Sequence, residues 1–187
     1  MKLSFVSLAL AAAALSPLVA QAQQALVPAQ SEVSFVSRQM GVPVEGKFKT
    51  FSAQVAFDPA KLATSQIAFT VDTGSADISR EANAELPKAT WFNVAAFPKA
   101  TFQSSSIKRL DASKFEVTGK LSIKGLSSDV VVPVTLAQNG ATTTATGAFP
   151  IKRLAFRIGE KEWADTSMVA DEVQVKFKIA LTGVPKL

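Results

Sequence analysis

Residues 115–142 read Phe-Glu-Val-Thr-Gly-Lys-Leu-Ser-Ile-Lys-Gly-Leu-Ser-Ser-Asp-Val-Val-Val-Pro-Val-Thr-Leu-Ala-Gln-Asn-Gly-Ala-Thr, and this stretch decides the fold. Phe115, Val117, Gly119, Leu121 and Ile123 share one side of a period-two repeat, and Val130, Val132, Val134 and Leu136 share one side of another. Alternation of this kind gives a strand one apolar face and one wet face. Gly125 to Ser128 supply the turn between the two strands. Asn139-Gly140, between Ala137-Gln138 and Ala141-Thr142, is a two-residue hairpin signal because both positions tolerate a positive φ. Three strands joined so tightly form an antiparallel meander.

The same period extends in both directions. Towards the C-terminus, Phe149 and Ile151 lengthen the third strand, Leu154, Phe156 and Ile158 alternate again, and Val173, Val175, Phe177, Ile179 and Leu181 close the chain. Towards the N-terminus, Thr101 to Ile107 is predicted as a strand. Ile67, Phe69 and Val71 form another, ended by the turn residues Asp72-Thr73-Gly74-Ser75. Val55 and Phe57 alternate with Gln54 and Ala56 until Asp58-Pro59 turns the chain. Glu45 to Phe48 is a strand in which Gly46 marks a bend or a close backbone approach. Met40-Gly41-Val42-Pro43 breaks it from an earlier strand carrying Val33 and Phe35. One short helix is expected midway, capped by Asp77 or Ser79, with Glu81 in its first turn and Pro87 ending it after Leu86.

This gives an all-β chain of about eight antiparallel strands with one short inserted helix. An open sheet of that length exposes its edges, and closure into an up-and-down barrel removes them; a two-sheet sandwich is the structural alternative. At about eight strands the interior either fills with side chains or holds one small ligand.

Leu86-Pro-Lys-Ala-Thr-Trp-Phe-Asn-Val-Ala-Ala-Phe-Pro-Lys-Ala-Thr-Phe102 stands apart from this pattern. It gathers Trp91, Phe92, Phe97 and Phe102 between and beyond two prolines. Aromatic side chains carry a large apolar area, so such a segment is either a plug over a core or the lip of an apolar cavity. Phe57, Phe69 and Phe177, being in strands, are core by default. Cavity lining is expected of side chains that fall in breaks between strands: Met40, Val42, Phe51, Trp91, Phe92, Phe97 and Trp163.

Residues 1–22 have the form of a cleaved secretory leader. Lys2 supplies the charge, Leu3 to Val19 the apolar run, and Ala20-Gln21-Ala22 the small residues at the cleavage positions. Residues 23–187 then form one domain, exported to a bacterial periplasm. Without Lys2 the chain keeps 19 of its 20 basic residues against 15 acidic ones, a modest excess. Those basic residues alternate along strands as on a solvated face, and no basic cluster is interleaved with exposed aromatics, so no nucleic-acid role is expected. Transient contact with an anionic membrane surface is compatible with the charge.

The chain contains no His, Cys or Tyr. That removes the usual general base near neutral pH, the thiol nucleophile and most transition-metal ligands. A Ser-His-Asp hydrolase is excluded, and no disulfide is available. Glu160, Glu162 and Asp165 around Trp163 read as a solvated loop, without the ligand spacing of a calcium loop. Lys152, Arg153 and Arg157 read as surface charge, with a polar headgroup as the alternative role. No catalytic residue, metal or cofactor is expected.

The order of several motifs resembles the YceI-like family across the whole of residues 23–187. These are Gly46-x-Phe48-x-x-Phe51, Val71-Asp72-Thr73, Trp91-Phe92-Asn93 leading to Phe97-Pro98-x-x-Thr101-Phe102, Gly119-Lys120-Leu121 followed by Gly125, Val132-Pro133-Val134, and Arg153-x-x-Phe156-x-Ile158. The resemblance implies a secreted lipocalin-like barrel that holds a long polyisoprenoid lipid, such as an isoprenoid quinone, in an apolar tunnel. It implies that Glu81, Leu86, Trp91, Phe92 and Phe97 stand at the cavity. With Phe35, Phe48, Phe102, Phe156 and the side chains in the breaks, these make up the expected lining. Where many members carry histidine, this chain has Gln39 and Lys124. The expected role is a non-catalytic carrier, with a homodimer allowed. The competing readings are an enzyme acting on a lipid inside the barrel through Glu81 or a Lys, and a stress-related protein interacting through its outer surface.

Overall fold

The structure, a computed structural model, describes residues 24–187; the expected leader, residues 1–22, lies outside them. Eleven strand segments follow in order: β1 (Ala25–Leu26), β2 (Glu32–Gln39), β3 (Val42–Phe48), β4 (Phe51–Ala56), β5 (Gln66–Asp72), β6 (Ala76–Asp77), β7 (Lys99–Arg109), β8 (Lys114–Ile123), β9 (Leu126–Asn139), β10 (Thr142–Lys152) and β11 (Glu172–Thr182). The one α-helix among the described residues, α1 (Arg80–Glu85), sits between β6 and β7. All pairings are antiparallel, in the spatial order β4-β5-β7-β8-β9-β10-β11-β2-β3-β6, with β1 added to the end of β11.

Three of the eleven segments are continuations of a neighbour. β1 and β2 both pair with β11 and are separated by the 3-10 turn Pro28–Gln30. β3 and β4 are separated only by Lys49 and Thr50, and β5 and β6 by the 3-10 turn Thr73–Ser75. Since β4 pairs with β5, and β3 with both β2 and β6, the sheet returns on itself. The result is an eight-stranded, up-and-down, lipocalin-like barrel, and the sandwich alternative falls.

The inward face is the one the period-two repeat marks. Val33, Phe35, Phe115, Val117, Leu121, Ile123, Val132, Leu136, Phe149, Ile179 and Leu181 are all buried. Within a single segment the parity changes in β7, where Phe102 and Ile107 both join the interior because the ladder slips between Ser104 and Ser106. A bulge inserts one residue, Ser105, and resets which side chains point in.

Turns differ from the sequence reading in three places. The β9–β10 turn is centred on Gly140-Ala141, not Asn139-Gly140: Asn139 pairs with Thr142, and Gly140 alone takes a positive φ of 58°. Two positive-φ positions occur instead at Lys124-Gly125 (50° and 76°) and Met40-Gly41 (48° and 80°), which tightens both hairpins. Leu154, Phe156 and Ile158 do not form a strand. Arg153–Phe156 is a 3-10 turn whose buried residues are Arg153 and Phe156, three apart, as that helix requires.

α1 begins at Ser79, whose Oγ accepts from the Ala82 N–H at 3.2 Å. Asp77, the other candidate cap, instead binds Lys49 at 2.9 Å and Asn83 at 2.7 Å.

Candidate functional site

The interior of the barrel is not filled. A cavity of about 190 Å³ runs from mid-height to the end that carries the described termini, and its walls come from β2, β4, β5, β7, β8, β9, β10 and β11. Their side chains are almost all aliphatic or aromatic; Thr101 and Thr143 are the only residues among them with a polar side chain. Val55, Ile67, Phe69, Val71, Phe102, Val134, Val175 and Phe177 line it and are only half buried, because their inner ends meet open space. The volume is comparable with the ~150 Å³ apolar cavities that stay dry and take up a benzene molecule.

The space exists because small residues stand where large ones would close it. Ala53, Ala100 and Ala145 are on the wall. Interior glycines work differently. A Cβ at Gly46 would lie 2.4 Å from the Phe35 ring, at Gly119 2.4 Å from Phe102, and at Gly147 2.5 Å from Phe177. The tip of each of these phenylalanine rings lies over a glycine of the neighbouring strand, and a side chain in place of the glycine would push the ring further into the bore.

The far end of the barrel is plugged. Leu86 and Phe92 are buried with Ile123, Phe156 and Ile158, and Phe48 meets Phe92 edge-on at 6.1 Å. Trp91 packs on Trp163, ring centroids 5.5 Å apart, and its indole Nε1 is buried without a partner. Phe97 lies against Gly125, and Thr73, itself 2% exposed, donates through Oγ1 to the Phe97 carbonyl at 2.9 Å.

Arg153 fixes this plug. It is 2% exposed, and its guanidinium donates to five backbone carbonyls: Ala170 at 3.1 Å, Ile158 at 2.9 Å, Gly159 at 2.7 Å, Trp163 at 2.7 Å and Val169 at 2.6 Å. Burial pushes its pKa down from the ordinary arginine value and the nearby Asp171 pushes it up. Arginine stays charged through such a shift. It is thus neither surface charge nor a headgroup contact. Beside it, Glu160 accepts from Arg157 at 2.8 Å and from Lys124 at 3.2 Å, and these two cations hold its carboxyl below the usual range.

Of the residues expected at the cavity, Phe102 lines it. Leu86, Trp91, Phe92, Phe97, Phe156 and Trp163 belong to the plug, and Phe35 packs on Phe48, 5.3 Å between centroids. Phe51 stacks on Phe69 at the wall, 5.7 Å away. Met40 and Val42 are 71% and 63% exposed on the hairpin between β2 and β3. Glu81 is exposed on α1, taking a hydrogen bond from Ser79 at 3.1 Å. Conversely Phe57, Phe69 and Phe177, core by default in the sequence, are lining residues. The signal that points to them is the small residues at inward positions of neighbouring strands, Ala53, Ala145 and Gly147.

Among the described residues no cluster of acidic side chains is grouped to hold a metal ion. The cavity wall presents no carboxylate, amine or guanidinium. Such a chamber can take an apolar chain by shape and dispersion, since Thr101 is exposed on the outer face and the Thr143 hydroxyl accepts from Gln138 at 3.0 Å.

Related proteins share this architecture. Burkholderia cenocepacia BcnA superposes with a TM-score of 0.80 at 52% identity, covering 83% of this chain and 98% of that one. A polyisoprenoid binding domain from Saccharophagus degradans has the same fold, with a TM-score of 0.69 at 13% identity over 86% of this chain and 98% of that one. A UPF0312 protein of Azotobacter vinelandii is 30% identical over 137 residues, 71% of each chain. Protein YceI of Salmonella arizonae is 32% identical over 96 residues, 51% of this chain and 50% of that one. The family model of the YceI-like domain matches residues 25–181, which is nearly all of the barrel, and the chain belongs to that family.

Proposed function

We infer that this protein binds the prenyl tail of a polyisoprenoid lipid, such as an isoprenoid quinone, as a non-catalytic carrier in a bacterial periplasm. The observation that carries the reading is the bore itself: an apolar cavity of about 190 Å³ inside a barrel whose wall offers no ionisable group. The likeness in fold to a polyisoprenoid binding domain supports the same ligand class.

By comparison with benzene-sized cavities, the open space accepts about one five-carbon unit. A longer tail needs the rings at mid-height, Phe48, Phe102 and Phe177, to turn aside. Each isoprene unit taken from water contributes roughly 4 kcal/mol at about 0.8 kcal/mol per CH₂. A lipid taken from a membrane leaves one apolar medium for another, so net transfer is small and reversible. This suits a carrier in transient contact with a membrane surface.

The test is purification without detergent, followed by native mass spectrometry and organic extraction. A bound long-chain isoprenoid is expected. Recovery of no lipid, together with no uptake of added geranylgeraniol, would remove the carrier reading. The same native spectrum reads the oligomeric state, a homodimer included.

A further inference from the structure

On the seam between β1/β2 and β3/β4 the ladder of the barrel wall is interrupted. β2 and β3 are paired from Gln39↔Val42 down to Val33↔Phe48 and no further. Lower down, the seam is closed again by Gln24, whose amide accepts from the Phe57 N–H at 3.0 Å and donates to the Phe57 carbonyl at 2.6 Å. Between these two closures β1/β2 leaves the sheet as the Pro28–Gln30 turn, while β3/β4 bends at Lys49-Thr50. Phe57 turns its N–H and C=O to the seam, and by the alternation of a strand Ala53 and Val55 turn theirs the same way, towards β1, which runs beside β4 without a ladder pairing.

Outside this interval lies a notch of about 370 Å³, bordered by Pro28, Ser31, Lys47, Phe48, Thr50 and Phe51. Inside it, Val33, Ala53 and Val55 are wall residues of the cavity. Two rings stand between notch and cavity: Phe48, held edge-on against Phe92 of the plug, and Phe51, which stacks on the lining residue Phe69 at 5.7 Å with the rings 23° apart.

Both ends of the barrel are tied more firmly. At the plugged end, Arg153 holds five carbonyls and the Thr90 carbonyl accepts from Gly159 and Glu160 at 2.8 and 2.9 Å. At the other end, Gln138 straps the C-terminal residues, donating to the Val184 and Pro185 carbonyls at 3.3 Å and accepting from the Leu187 N–H at 3.2 Å. Opening either end breaks several hydrogen bonds at once. Opening the seam starts from a rotation of Phe51, the ring not held by the plug, with no ladder bond to break.

We propose that this notch is the port through which the apolar tail enters and leaves the barrel, and that Phe51 is its door. The proposal rests on the lipid-binding reading above and adds the route and the residue that controls it. The chemistry at the port suits an amphipathic molecule: Phe48 and Phe51 receive the chain, while Lys47, Thr50 and Ser31 keep the outer rim polar.

The chain has no cysteine, so a single introduced thiol can carry a bulky maleimide without competition. Thr50→Cys places it in the notch, Ala89→Cys outside the plug and Lys186→Cys at the strapped end; all three positions are exposed. Uptake of geranylgeraniol by the delipidated full-length protein is followed in time and at equilibrium for each labelled variant. The expected result is uptake slowed about tenfold or more by the label at 50 alone, with the amount bound at equilibrium unchanged. Phe51→Ala is expected to speed uptake and release by a similar factor. Slowing by the label at 89 or 186 with none at 50 would overturn the port while leaving the carrier reading in place. No equilibrium binding in any unlabelled variant would overturn both.

Discussion

Filling the cavity from the inside separates its two consequences, stability and ligand capacity. Ala145 lies on β10, pairs with Leu136 and Ile179, and faces the open space. At about 24 cal/mol per Å³, a cavity of 190 Å³ withholds roughly 4 to 5 kcal/mol from the lipid-free barrel. Ala145→Leu adds three carbons to the void, worth at most ~2.4 kcal/mol at 0.8 kcal/mol each. Rotamer adjustment in a constrained wall takes back about 1 kcal/mol or more. The lipid-free variant should gain about 1 kcal/mol, a rise of roughly 2 to 4 °C in Tm for a chain of this size. Its capacity for a prenyl alcohol should fall steeply, since three of the approximately six carbons the void can take are already there. Urea denaturation of both proteins after delipidation reads the first quantity, and titration with geranylgeraniol the second. A variant destabilised by 2 kcal/mol or more with unchanged lipid capacity would mean that the space beside Ala145 is packed and that the bore is closed there.

Other perturbations follow from the same structure. Arg153→Lys should lose about 3 kcal/mol or more in chemical denaturation, because an ammonium has three donors where the guanidinium serves five buried carbonyls. A loss under 1 kcal/mol would mean that the plug is held by its aromatics alone. Gly147→Ala sets a Cβ 2.3 Å from the Pro133 carbonyl oxygen and 2.5 Å from the Phe177 ring, and should cost about 1 to 3 kcal/mol. An unchanged Tm would show that the ring has room to move. Acid should loosen the plug and the junction of β3 with β6. The Glu160 carboxyl is lowered by Arg157 and Lys124, and that of Asp77 by Lys49 and Asn83, so the stability they contribute is present above the ordinary carboxylate pKa near 4 and is lost as pH falls below it. Thermal melts from pH 7 to pH 3 should show a falling Tm, with a smaller fall in Glu160→Gln; a Tm that rises towards pH 3 would contradict the assignment.

The barrel was legible because β8 to β11 keep a strict repeat of two, and a sheet that buries one face of every strand must close or stack. The interruptions were not. Nothing in the composition around Ser104-Ser105-Ser106 distinguishes a bulge from a regular strand, yet the bulge decides that Ile107 points inward. Leu154, Phe156 and Ile158 carry a period of two by coincidence, and the need of Arg153 to reach five carbonyls folds that stretch into a turn instead. An isolated arginine in a sequence looks like surface charge; its burial depends on carbonyls contributed by residues up to 17 positions away. The site divides in the same manner. Aromatics in breaks attract notice, but in this fold they seal an end, while the bore is set by where alanine and glycine replace larger residues on inward positions.

The central claim is that an apolar chain lies inside the barrel, and contact between labelled methyl groups of the protein and bound geranylgeraniol, measured by NMR, tests it most directly. Cross-relaxation from the prenyl chain to methyls of Val117, Val134, Leu136 and Ile179, all on the cavity wall, is the expected result. Contacts confined to Met40, Val42 and Met168 on the outer surface would place the lipid outside the barrel and contradict the account.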